Sequence, residues 1–152
     1  MRRKEREITD PAEVESVLSG AQVCRIALAD GGEPYVVPVC FGYEKGAIWI
    51  HSAQKGKKIA MLQKNPRCCF EVDTCDGTIP SERPCNWEMR YRSVIGFGNA
   101  TIVDDVGEKK KGMNCIIRHH SGGMVNFSDE EIKNVCVIRI DISEMTGKKY
   151  GC

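Results

Sequence analysis

The sequence contains no apolar run approaching the roughly 18 residues that a membrane-spanning helix requires, so no membrane role is expected. It has almost no net charge either: 22 Lys and Arg against 21 Asp and Glu leave a formal +1. A broad nucleic-acid surface needs many unopposed cations, and single-stranded or duplex nucleic acid is therefore an unexpected partner. The opening Met1-Arg2-Arg3-Lys4-Glu5-Arg6-Glu7 is basic, but no apolar stretch follows it, which excludes a secretory leader. Residues 1–9 read instead as a solvated basic arm. No internal repeat or low-complexity segment is visible. No C-x-x-C pair occurs, and Cys115 with His119 and His120 lacks a second pair of ligands, so no metal site is expected.

Cysteine, by contrast, is plentiful, with nine residues in 152. The number is odd, and several of the nine lie in apolar runs, where a thiol packs as a small hydrophobe. The expectation is free thiols in a reducing cytoplasm, not a disulfide scaffold. Hydrophobic residues at 41% and charged residues at 28% suit one compact domain spanning 1–152.

Asp10 as N-cap, Pro11 at N1 and Glu13 at N3 predict a helix with a capping box. Val14, Val17 and Leu18 give it one buried stripe, and Gly20 ends it. Three strands follow: Cys24–Leu28, Tyr35–Tyr43 and Ala47–His51. They are joined by the turns Asp30-Gly31-Gly32 and Glu44-Lys45-Gly46 and are expected to form a meander. Pro38 marks the second as an edge or bulged strand. A helix is expected over about 57–64 with Ile59 and Leu62 inward, stopped by Asn65-Pro66. A strand over 67–73, a loop over 74–86 and a long strand over 87–103 come next. Val94, Gly96, Gly98 and Ala100 leave one face of that long strand bare enough for a backbone or a flat ligand. A helix over 106–120, with Val106, Met113, Ile116 and Ile117 on one face, is broken by Ser121-Gly122-Gly123. Ser128 caps a short turn, and a last strand over 135–142 carries Cys136, Ile138, Ile140 and Ile142 on one side. Consecutive hairpin-linked strands disfavour a parallel sheet and favour a small antiparallel barrel.

Three places could carry chemistry. At His51-Ser52-Ala53-Gln54-Lys55-Gly56-Lys57-Lys58 a strand end runs into a helix start. There, free amides, the Ser52 hydroxyl and two lysines make either a phosphate cradle or an ordinary basic helix start. His51 either polarises or protonates a bound ring, or simply bonds to backbone. Arg90 and Arg92 share a strand face, where they either grip an anion or pair with Glu71 or Asp73. A nucleophilic Cys–His pair is a further arrangement, but no spacing selects one thiol.

The joint order of several stretches resembles the flavin-binding split-barrel superfamily of pyridoxamine 5′-phosphate oxidase, and within it the 5-nitroimidazole reductase group. Those stretches are Met1–Lys4 to Ile8–Asp10, Tyr35–Val39 with Phe41–Tyr43, His51–Ala53 through Gly56-Lys57, Asn65-Pro66-Arg67, Met89–Val94 with Gly96–Gly98, and Met145–Lys148. The resemblance implies a mainly β fold with α: a six-stranded antiparallel Greek-key split barrel carrying two to three peripheral helices. It also implies a homodimer with FMN at the interface, FAD being the alternative flavin. Val37, Pro38 and Val39, together with Ile50, His51, Ser52 and Ala53, would line the isoalloxazine. Lys57 and Lys58 would take the phosphate, and Arg92, Ser93 and Val94 would form the partner-side wall. His51 would be catalytic. The activity implied is FMN-dependent reduction of a small aromatic or nitro compound; the alternative is a flavin- or haem-binding redox sensor or carrier. The C-terminal Arg- and Trp-containing signature of pyridoxamine phosphate oxidases themselves is absent, which argues against oxidation of vitamin B6.

Overall fold

The computed structural model describes residues 3–152. Helix α1, Pro11–Gly20, begins where its cap predicts: the Asp10 carboxylate accepts from the Ala12 amide at 3.0 Å. Glu13 does not close a capping box. Its carboxylate is held at 2.7 Å by Lys149 from the last strand. Val14, Val17 and Leu18 are all buried.

Strands β2 (Cys24–Asp30) and β3 (Glu33–Val39) form a hairpin across Gly31 and Gly32. Both glycines have positive φ, +58° and +89°, as a tight hairpin turn of this hand requires. The expected second strand does not run unbroken to Tyr43. It stops at Cys40 and resumes as β4, Phe41–Glu44, which pairs with β5, Ala47–Ser52. The meander expectation therefore fails, because β3 and β4 lie at opposite ends of the sheet. The order is β3-β2-β6-β7-β8-β5-β4, where β6 is Arg67–Ile79, β7 Glu88–Val103 and β8 Cys136–Tyr150. All pairings are antiparallel. Val39 and Phe41 are two residues apart, a span of at most about 7 Å. The two edges of the sheet must therefore meet at Cys40, and the sheet is rolled into a barrel. No ladder joins β3 to β4, so the barrel is split there. Six long runs make the barrel, as expected, and the break at Cys40 together with the dipeptide β1, Glu7–Ile8, raises the strand count to eight.

The expected solvated arm is docked. β1 pairs with β8 through Glu7 opposite Lys148 and Ile8 opposite Gly147. Ile8 is buried, and Arg6 lies over the Tyr150 ring while bonding Glu88 at 2.6 Å. Arg2 and Met1 lie outside the described residues. Beyond Asp73, β6 continues to Ile79 through an irregularity between Cys75 and Thr78, where a loop is expected. The bare face of β7 turns inward. Above Gly96 lies the Phe70 ring, and beside Gly98 run the β8 backbone at Asp141 and the Ile140 side chain. What approaches the bare stripe is thus the core itself and not a flat ligand.

Helix α2 is Lys57–Lys64, with Ile59, Met61 and Leu62 buried. Helix α3, Val106–Ser121, lies on β4 and β5. Its buried face is Gly112, Cys115 and Ile116, rotated from the expected one. Ser128 and Glu131 form a complete capping box on a fourth short helix, α4, Asp129–Lys133.

Candidate functional site

The strand-end segment and the helix start come together as the sequence predicts, but not all of their side chains face one way. β5 puts Ile48 and Ile50 into the core, leaving His51 exposed at its end. His51 stands opposite Val137, and Ser52 opposite Cys136, at the start of β8. Gln54 ties the loop down by donating to the Asn134 carbonyl at 2.9 Å. Gly56 follows with φ +132° as the N-cap of α2. A glycine offers no side-chain oxygen, so the first amides of α2 have no side-chain cap. An added Cβ at Gly56 would meet nothing within 4 Å, so the space beside Gly56 itself is open.

The two lysines diverge, as consecutive helical residues must. Lys57 turns towards β3, where its ammonium is 3.7 Å from a Glu33 carboxylate oxygen and 5.0 Å from the Tyr35 ring. Lys58 turns towards Cys136, and burial pushes its ammonium pKa down. Among the described residues no carboxylate pairs with Lys58. An anion brought to that end would therefore meet one cation that is screened and one that is underpaired.

The strand Val37-Pro38-Val39 is at the sheet edge, as Pro38 requires. Only Pro38 faces outward there; Val37 and Val39 are half-buried and pack against the core. Ile50 and Val94 are fully buried and belong to the core, so neither side chain can form a ligand wall. Ala53 is exposed beside His51.

Arg92 and Ser93 are remote from this assembly. His51 is opposite Val137, which is opposite Val103, whereas Ser93 is opposite Lys148. From Val103 back to Ser93 is ten residues of β7, about 33 Å of extended strand. Arg92 bonds Asp76 at 3.3 Å. The alternative pairing with Glu71 or Asp73 is not made either: Arg25 holds both, reaching Glu71 at 3.0 Å. His119 lies far along α3, with Nε2 2.7 Å from the Ala21 carbonyl oxygen and its ring tilted at 49° against Phe41. Its role is to fix the helix end.

Glu33, Tyr35, Gln54 and Cys136 also belong to this end of the molecule. The hairpin turn at Gly31-Gly32 could have placed Glu33 and Tyr35 on the edge strand. No local signal places Cys136 opposite Ser52. A hollow of about 170 Å³ lies among Gln54, Ile59, Lys109, Val135 and Cys136. That is below the usual size of a pocket for a cofactor.

Residues 10–149 match the family model described as pyridoxamine 5′-phosphate oxidase. No curated protein sequence matches the chain. Among solved structures, one from Bacteroides thetaiotaomicron, described as a candidate 5-nitroimidazole antibiotic resistance protein, is similar at 34% identity. The match covers 93% of this chain and 85% of that one with a TM-score of 0.82. The flavocytochrome Anf3 of Azotobacter vinelandii is similar in fold, with 20% identity over 100% of this chain and 72% of that one, at a TM-score of 0.86. So is a FAD and haem binding protein of Mycobacterium smegmatis, with 17% identity, 97% and 74% coverage and a TM-score of 0.87.

Proposed function

The chain belongs to the pyridoxamine 5′-phosphate oxidase family, and from that premise we propose that it binds FMN and works as an oxidoreductase on a small aromatic or nitro compound. The observation that carries this reading is the open, uncapped start of α2. There Gly56 and Lys57 are exposed, no side chain caps the helix, and Lys57 stands beside Glu33 of β3. Free amides, the helix dipole and lysine ammonium groups suit a phosphate monoester. Ser52 would add a hydroxyl, and Pro38 with Ala53 would offer apolar edges to the ring. When bound, FMN would supply the redox chemistry. His51, exposed at the end of β5, would hold or deliver a proton at the substrate.

The resemblance also implies a homodimer, with Ser93 on the partner-side wall of the flavin site. One flavin can touch the His51–Lys57 end and the Ser93 end only if two copies each bring one of them, given the ten residues of β7 between the two. The likeness to the Bacteroides protein favours a nitro substrate, and the absent C-terminal signature disfavours vitamin B6. The flavocytochrome and the FAD and haem binding protein support the second reading, a flavin or haem carrier without turnover.

An absorbance spectrum of the purified protein, mass analysis of any released cofactor and titration with FMN test the reading. Saturable FMN uptake supports it, and a protein that takes up no flavin overturns it. Lys57→Ala should weaken FMN binding by about 1.5–3 kcal/mol, the loss of one charge-assisted contact; unchanged affinity removes Lys57 from the cradle. His51→Asn should keep FMN but lower the rate at which a nitroimidazole reoxidises the reduced protein, by about 100-fold for a lost proton donor. An unchanged rate denies His51 that role.

A further inference from the structure

The Ser93 end of β7 carries a cation with no counter-charge of its own. Ser93 stands opposite Lys148 of β8, and Tyr91 opposite Tyr150. Residues directly opposite each other, or two apart on one strand, share a face of the sheet. Ser93, Tyr91, Tyr150 and Lys148 therefore form one patch. Val94, next to Ser93, is buried in the core, so the patch lies on the outer face. Arg6 braces it by packing 3.6 Å from the centre of the Tyr150 ring. The Lys148 ammonium lies 5.9 Å from the centre of the Tyr91 ring.

The neighbouring cations are committed elsewhere or face away. Lys149 is held by Glu13, Arg6 by Glu88 and Arg92 by Asp76. Arg90 is three residues from Ser93, which puts it with Arg92 on the opposite face of β7. Lys148 is half-buried. Among the described residues it makes no ion pair, although Glu7 of β1 stands opposite it. A half-buried ammonium is less screened by water than an exposed one, so an anion brought against it is held more strongly.

Two copies that share one flavin bring this patch, along with Ser93, to the His51–Lys57 end of the other copy. The α2 start takes the phosphate, so a group arriving with Ser93 meets the ring. The oxidised isoalloxazine is neutral. The two-electron reduced ring is an anion at neutral pH, its charge spread over N1 and the C2 carbonyl oxygen. A cation there binds the reduced ring more tightly than the oxidised one, and so raises the potential. We propose that Lys148 of one copy holds the negative charge of the reduced flavin seated on the other, and thereby sets its potential. This rests on the two-copy FMN reading given above.

Spectroelectrochemical titration of the FMN-loaded protein tests this, with Lys148→Met and Lys148→Arg beside the parent. In Lys148→Met the preference for reduced over oxidised FMN should fall about tenfold, which lowers the two-electron midpoint potential by about 30 mV. Lys148→Arg keeps the charge and should restore most of that shift. Riboflavin, which has the ring without the phosphate, should show the same Lys148→Met effect. Lys57→Ala, by contrast, should weaken FMN and leave riboflavin unchanged. A potential unaltered in Lys148→Met overturns the proposal, and so does an equal downward shift in Lys148→Arg. A Lys148→Met effect confined to FMN and absent with riboflavin would make Lys148 a phosphate ligand, which also overturns it. A parent that takes up no flavin overturns the FMN reading as well, whereas the other adverse results overturn this proposal alone.

Discussion

Replacing Gly42 by alanine is expected to destabilise the fold by about 3 kcal/mol, the upper part of the range for overpacking a tight core. An added Cβ would sit 2.5 Å from the carbonyl carbon of Cys115 and 2.7 Å from the amide nitrogen of Ile116. Those atoms are the backbone of α3, which has no rotamer with which to retreat. The helix must lift, and its buried Cys115 and Ile116 lose their contacts with it. Gly112 makes the reciprocal approach, its missing Cβ leaving room for the Trp49 ring and for Val137 Cγ1 at 2.8 Å. In an exposed helix Gly→Ala gains up to about 1 kcal/mol. Here the clash should reverse the sign, so Gly112→Ala should also melt earlier. Urea and thermal melts decide both; a variant as stable as the parent would mean that α3 is not seated on β4 and β5 as described.

The fold should also lose about 3 kcal/mol between pH 8 and pH 10. Burial raises the thiol pKa of Cys24 from an ordinary 9.0 to about 12, and those of Cys68 and Cys115 to about 11. A group whose pKa is higher in the folded state stabilises the fold fully below its unfolded value. That contribution fades as pH climbs through the folded value, because only the unfolded chain then sheds the proton. Three such thiols act together from about pH 9 upward. Lys58, depressed by burial, acts in the opposite sense, but it is one group against three. Urea midpoints at pH 8 and pH 10 measure the loss, and Cys68→Ala should shrink the difference between them. Equal midpoints would contradict the assignment of these thiols to the core. Iodoacetamide on the native protein should modify the exposed Cys40, Cys75, Cys85 and Cys152 while sparing Cys24, Cys68 and Cys115.

Local chemistry proved legible where it acts over a few residues. Asp10 and Pro11 start α1, Asn65 and Pro66 end α2, Gly31 and Gly32 turn the hairpin, and Pro38 sits on an edge. The basic start of α2 after His51 is of the same kind. Features decided by distant partners are not legible in this way. Nothing near Cys40 signals that one run must serve both edges of a rolled sheet. The glycines of β7 read as room for a ligand because Phe70, which fills that room, is some 26 residues away and on another strand. The buried face of α3 is set by Gly112 and Cys115, which weigh little in any count of hydrophobic residues but meet Trp49 and Gly42. Arg92 and Ser93 look close to the cradle only until the register of β7 with β8 is known.

That register bears on how the molecule is made. β8 is the last strand in the chain, yet it pairs with β7, with β5 and with β1. β5 and β8 meet through residues such as His51 and Val137, more than 80 positions apart. As the chain emerges from a ribosome, the β2–β3, β4–β5 and β6–β7 hairpins can close early, since each needs only near neighbours. They remain in two unconnected halves, hinged at Cys40 with raw strand edges, until residues 136–150 arrive to join them. The interval before that arrival is when the nascent chain is most open to mispairing with another copy of itself.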